Sequence, residues 1–241
     1  MAKTAKSEKS ESARRGYHHG DLRNALIEAA AQLALDGGPE SVTIRAAARA
    51  VGVTPTAAYR HFAGHEELVE AAKQQAMEHL TGAMAAEIRS RPDIDDRTLR
   101  ALSDFAAIGR GYLNFALDHP GLFRTAFSRG GPLLPPPEEQ TAESPFRKLV
   151  DAMDELVNVG YLPAERRPLA ELTAWSMVHG LAMLVLEGPL REIDEQTRHQ
   201  VLLRSIEIMG SGLSGSPLPA ELRAVLADLA GDLDSDGEHT P

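Results

Sequence analysis

The stretch TIRAAARAVGVTPTAAYRHF, residues 43–62, leaves the backbone few choices. A threonine hydroxyl satisfies one of the N–H groups that a helix start leaves without a partner, so Thr43 can open a helix. Ile44, Ala47, Ala48 and Val51 then recur on one face of it. Gly52 breaks that pattern. Thr54 offers a second cap, and Pro55 suits the first helical position, where its missing N–H costs nothing. A short helix follows, to about His61. Two helices therefore meet across Gly52, Val53 and Thr54, and the small alanines let them approach closely. Val53, Ala58 and Phe62 can pack inward, which leaves Pro55, Thr56, Tyr59 and Arg60 on the opposite face.

A bracing helix, a tight turn and a short projecting helix are the parts a helix-turn-helix needs to enter the major groove. The free N–H groups at the start of the projecting helix suit a phosphate oxygen, and Tyr59 or His61 can reach another. Upstream, Leu22, Leu26, Ala29, Ala30, Leu33 and Ala34 form a helical stripe from Asp21 that Gly37-Gly38-Pro39 ends. Downstream, helical patterns span 65–90, 97–118, 120–128, 145–159, 164–187, 194–212 and 219–230, mostly separated by proline or glycine. In the 194–212 pattern, Ile193, Val201, Leu202, Ile206 and Met209 share a face suited to a core or to a partner helix. RGGPLLPPPEEQTAES, residues 129–144, is expected to be a mobile loop. The resulting division is a disordered basic arm over 1–16, a helix-turn-helix domain over 17–64, a helical body over 65–230 and a disordered acidic tail over 231–241. The fold class is all-α. An apolar share of 43% with only 5% aromatic residues, and no strand-like alternation, points the same way.

A net charge of −10 looks wrong for a nucleic-acid binder, because phosphate affinity comes from Lys and Arg. The distribution resolves this. Residues 1–62 hold nine Lys/Arg against six Asp/Glu, a net of +3, which leaves −13 for the remainder. DNA contact is thereby confined to the first segment. The absence of cysteine excludes disulfides, thiolate nucleophiles and thiolate-held zinc. The longest apolar run, Leu181 to Leu186, is far too short to span a bilayer, and the N-terminus has no apolar leader core. The expectation is a cytoplasmic protein with no membrane partner.

The run TIRAAARAVGVTPTAAYRHF resembles the DNA-binding domain of TetR-family transcriptional regulators, marked by a Gly-Val turn and a Tyr-x-His-Phe ending. Tyr17, in GYHHGDLR, matches the start of the domain in one branch. Position by position, the resemblance implies base contacts from Arg45, Pro55, Thr56, Tyr59 and Arg60, and phosphate contacts from Thr43, Thr54, Tyr59 and His61. Where family members usually carry a phosphate-binding lysine three residues after the phenylalanine, this chain has His65. A protonated imidazole matches that lysine and a neutral one does not, so binding should weaken as pH rises. GYLNFALDHPGLFRTAF (111–127) and AWSMVHGLAMLVLEG (174–188) resemble the ligand and dimer domain of a branch with a Trp-x-x-x-His-Gly signature, here Trp175, His179 and Gly180. The resemblance implies a helical box over an apolar cavity, with the last two long helices pairing in a homodimer.

Trp175 and His179 lie four residues apart and so share a helix face. With Phe105, Tyr112, Phe115, Phe123, Val178 and Met183 they either line a pocket for a small apolar or aromatic effector or fill a core. Adjacent His18-His19 on a flexible segment makes a poor preformed metal site, so neither metal nor cofactor is expected. Arg14-Arg15 either enters the minor groove or is simply solvated. The function these residues imply is a ligand-responsive regulator, a repressor, that binds a palindromic stretch of double-stranded DNA as a homodimer. A helical-box binding protein or enzyme is the alternative. No glycine-rich phosphate loop, serine nucleophile elbow or spaced carboxylate pair supports the enzyme reading. A DNA-bending protein needs a basic surface throughout, and the acidic body opposes it.

Overall fold

A computed structural model describes residues 19–128 and 144–215, and its elements are helical throughout, with no strand among the described residues. In chain order they are α1 (His19–Gly37), α2 (Ile44–Val51), α3 (Pro55–Ala58), α4 (His65–Ser90), α5 (Arg97–Asp118), α6 (Pro120–Ala126), α7 (Pro145–Asn158), α8 (Ala170–Leu186) and α9 (Glu195–Ser214). Short 3-10 turns occupy Pro39–Ser41 and Ala164–Arg166.

The spine is α4. Leu68, Ala72, Ala76, Leu80 and Met84 recur every fourth residue and are all buried, so one continuous stripe packs on α1, α5, α6 and α7. Its crossing with α5 is close because Gly111 sits there: a Cβ at that position would lie 2.7 Å from the Met84 Cα and 3.0 Å from the Ala83 carbonyl oxygen. One apolar core runs from Leu26 in α1, through Phe62 and Leu68, to Leu213 in α9. The helix-turn-helix and the helical body share it.

Three further helix starts carry side-chain caps. Asp96, Ser144 and Asp194 accept backbone N–H bonds at the starts of α5, α7 and α9, at 2.8, 3.0 and 2.8 Å. Two elements differ from expectation. The helical pattern over 164–187 is interrupted, because Pro168 has no N–H to donate and Leu169 adopts a left-handed φ of 62°. Arg167 bridges the break, donating to Asp154 at 2.7 Å and also pairing with Glu171, so α7 is tied to the first turn of α8. The projecting helix ends at Ala58 rather than near His61, though turn-type bonds such as His61 N to Ala58 O at 2.9 Å carry its winding onward. The arm over 1–16, Tyr17, the loop over 129–143, the helix expected over 219–230 and the acidic tail lie outside the described residues. Among the described residues, no helix is long and apolar enough to cross a membrane.

Candidate nucleic-acid interface and ligand cavity

Both caps of the helix-turn-helix are made as the residue types require. Thr43 Oγ1 accepts from Ala46 N at 3.1 Å, and Thr54 Oγ1 accepts from Ala57 N at 3.3 Å. Each hydroxyl spends an acceptor position on the cap and keeps its proton to donate outward, as a phosphate oxygen needs. Between them, Gly52 adopts φ 77° and ψ 28°, and the turn closes with Gly52 N to Arg49 O at 3.2 Å and Val53 N to Ala48 O at 2.9 Å. An L side chain at that φ is strained, which is why glycine sits there.

Ala58 and Phe62 are fully buried and fasten α3 to the core, while the Arg23 guanidinium lies 5.1 Å over the Phe62 ring. Thr43, Arg45, Thr54, Pro55, Thr56, Tyr59, Arg60 and His65 are all exposed, and His61 is half-buried. Tyr59 leaves 53% of its surface open. Arg49, four residues after Arg45 and so on the same face, is also exposed and extends the basic edge. His65 begins α4 beside Glu66 and Glu67, whose carboxylates suit the positive end of the helix but oppose an incoming phosphate. Glu67 is engaged, accepting from Ala63 N at 2.7 Å.

An apolar cavity of about 80 Å³ lies among α4, α5, α7, α8 and α9. Of the residues expected there, Phe105, Tyr112, Trp175 and Val178 line it. Phe115, Phe123, His179 and Met183 do not. Helical phase separates them: Phe105 and Tyr112 are seven residues apart and share a face of α5, and Phe115 is turned away onto His119, ring centres 5.4 Å apart. Met183 falls eight residues after Trp175, off the lining face of α8. Phe123 is fully buried behind the wall, 5.5 Å from the Tyr112 ring and 5.6 Å from that of His179. The wall also holds Met77, Met84, Met177 and Met209, for which the sequence signal was the spacing of methionine on helix faces that also carry leucine and isoleucine.

From the wall a half-buried polar bridge leads outward. Trp175 Nε1 donates to the Tyr112 hydroxyl at 3.2 Å, and that hydroxyl lies 2.7 Å from His179 Nδ1. An indole nitrogen can only donate, so the tyrosine oxygen accepts from Trp175 and shares one further hydrogen bond with His179 Nδ1. Burial favours the neutral form of both groups: it pushes the Tyr112 hydroxyl far above its ordinary range and holds His179 below the usual imidazole value. Phe127, just past α6, closes the cluster at 4.8 Å from His179 and 6.2 Å from Trp175. From there α6 leads to the DNA-reading unit. A Cβ on Gly121 would stand 2.2 Å from the Ala34 carbonyl oxygen and 2.7 Å from that of Leu35, so α6 rests directly on the end of α1. Among the described residues no group of His, Asp and Glu is arranged to hold a metal, and the side chains of His18 and His19 lie outside them.

Two family sequence models match the chain. "Bacterial regulatory proteins, tetR family" covers residues 26–72, and "Tetracyclin repressor-like, C-terminal domain" covers residues 105–207. No curated protein sequence matches. Among solved structures, a protein of unknown function from Rhodococcus sp. RHA1 is 22% identical, covers 83% of this chain and 100% of its own, with a TM-score of 0.64. A TetR family transcription regulator from Marinobacter aquaeolei VT8 is 19% identical over 77% of this chain and 94% of its own, with a TM-score of 0.56. A TetR variant from Acinetobacter baumannii AYE in complex with minocycline is 17% identical over 80% of this chain and 98% of its own, with a TM-score of 0.52. At these identities the likeness is one of fold. The two sequence models carry the rest: together they span the turn with its exposed α3 and most of the helices around the cavity, and the chain belongs to the TetR family of ligand-responsive, DNA-binding transcription regulators.

Proposed function

We propose that the chain is a homodimeric repressor that places α3 in the major groove of a palindromic operator and is released by a small, largely apolar effector held in the cavity. The observation that carries this reading is the exposed set on α2 and α3, with Arg45, Thr56, Tyr59 and Arg60 facing solvent while Ala58 and Phe62 anchor them. Side chains so placed have no packing role and the residue types for base edges and phosphates. Thr43, Thr54, His61 and His65 would hold phosphates; Pro55 would abut the bases.

Pairing of two copies is supported by α8 and α9. Leu184, Leu203 and Ile208 expose 44%, 59% and 55% of their surface there, apolar side chains that a partner helix would cover. Gly180 and Gly212 lie on the same two helices, and a Cβ at either would meet nothing within 4 Å. Nothing among the described residues requires glycine at those positions, which leaves room for the close approach of a partner helix.

The effector would act by favouring a conformation whose recognition helices are mis-spaced for DNA. Two elements join the sites. Met77 and Met84 of α4 line the cavity while the same helix begins at His65, beside α3. Phe127 reaches the cavity from α6, which bears on α1 at Gly121. Selection from random duplexes tests the reading: a repressor of this kind enriches an inverted repeat whose half-site centres lie about one helical turn apart. Enrichment of AT-rich tracts alone, or of nothing, overturns it.

A further inference from the structure

We infer that the cavity selects uncharged ligands without hydrogen-bonding groups, held by shape and dispersion against a methionine-rich wall. This rests on the reading of the cavity as the effector site and specifies its chemistry. Among the described residues the wall carries no Asp, Glu, Lys, Arg or His. Its three polar side chains are already engaged within the protein. The Tyr112 hydroxyl accepts from Trp175, which uses the only N–H of the indole, and is hydrogen-bonded to His179 Nδ1. Ser205 Oγ donates to the Val201 carbonyl oxygen at 2.9 Å.

An ion entering such a space loses its hydration and finds no countercharge. A neutral donor or acceptor fares little better, because it gives up its bonds to water for wall groups that are already hydrogen-bonded within the protein. Hydrocarbon surface has no such cost. Four of the chain's seven methionines, Met77, Met84, Met177 and Met209, stand in this wall. An unbranched thioether with three rotatable bonds refits itself to different outlines and is polarisable, so such a wall grips apolar shapes of several kinds. Its present volume of about 80 Å³ is below the roughly 300–1,000 Å³ of sites that hold drug-sized molecules. The smallest occupants are therefore one-ring or short branched hydrocarbons, and larger ones enter as the methionines swing aside.

Trp175 is the chain's single tryptophan and part of the wall, so its emission reports occupancy. The full chain is titrated at neutral pH with toluene, benzylammonium and benzoate, three probes of one ring and differing charge, while fluorescence and thermal midpoint are followed. Toluene should shift both and bind at least about tenfold tighter than either ion. An ion that binds as well as toluene overturns the inference but leaves the cavity as the effector site. Silence of both signals toward all three removes the cavity reading and the inference with it. Ala174→Leu fills the wall and should abolish the toluene response; a response that persists puts toluene elsewhere and overturns the inference. Ser205→Asp supplies a charge and should turn the preference toward benzylammonium, and an unchanged preference likewise overturns it.

Discussion

Tyr59 shows what a single side chain reveals by where it stands. A large aromatic with 53% of its surface open, one residue past the buried Ala58, adds little to folding and is free to touch something else. Tyr59→Ala should cost about 1–3 kcal/mol of specific DNA binding and leave the thermal midpoint unchanged; anisotropy with the selected duplex at fixed salt reads it, and wild-type affinity would strike Tyr59 from the contacts. His179 shows the opposite case, a side chain that matters because it is half withdrawn from solvent. Burial keeps it neutral in the folded protein, whereas the unfolded chain takes up the proton near pH 6.5. Stability is therefore complete above that pH and falls as pH drops below it. Thermal midpoints measured downward from neutral pH should fall more steeply in the wild type than in His179→Gln, and equal slopes would show that this imidazole does not govern the acid limb.

At the level of helices, α6 is the short element with the most to do. It spans seven residues, yet it carries Phe123 into the core and rests on α1 through Gly121. Gly121→Ala forces backbone apart from backbone, an overpacking change of about 1–3 kcal/mol. Its midpoint should drop, and effector should release DNA less completely; a variant with both properties intact would mean that the contact yields freely and transmits nothing. Helices such as α2 and α4 were legible in the sequence because their signals are local: Thr43 and Gly52 bracket the first, and a four-residue stripe ended by Arg91-Pro92 marks the second. The break at Leu169 was less legible, since a helical pattern on both sides of Pro168 reads as one helix until Arg167 is seen bound to α7. The cavity was half legible for a related reason. Residue type named the aromatics, but only the relative rotation of α5 and α8 decides that Tyr112 faces the space and Phe115 does not. The rotation is set by contacts far apart in the chain, among them the close seat of Gly111 on Met84.

Taken whole, the molecule is a small basic end, net +3 over residues 1–62, on a body of −13. Such a body is repelled by phosphate and holds the approach to DNA to one orientation. If two copies must pair through α8 and α9 to offer both ends at once, Leu203→Glu with Ile208→Glu should give a folded monomer. By light scattering it would have half the mass, and it would lose operator binding because each end alone grips one half-site; a dimer that survives both changes would place the pairing surface elsewhere. The unbroken core from Leu26 to Leu213 bears on how this protein can be altered. A reading head that shares its interior with the sensor is not a cartridge. Grafting the first sixty-odd residues onto another member's body would mate mismatched surfaces at α1, α4 and α6, so working hybrids must carry those facing residues along, and new operator preferences are more readily reached by changing the outward side chains of α3 alone.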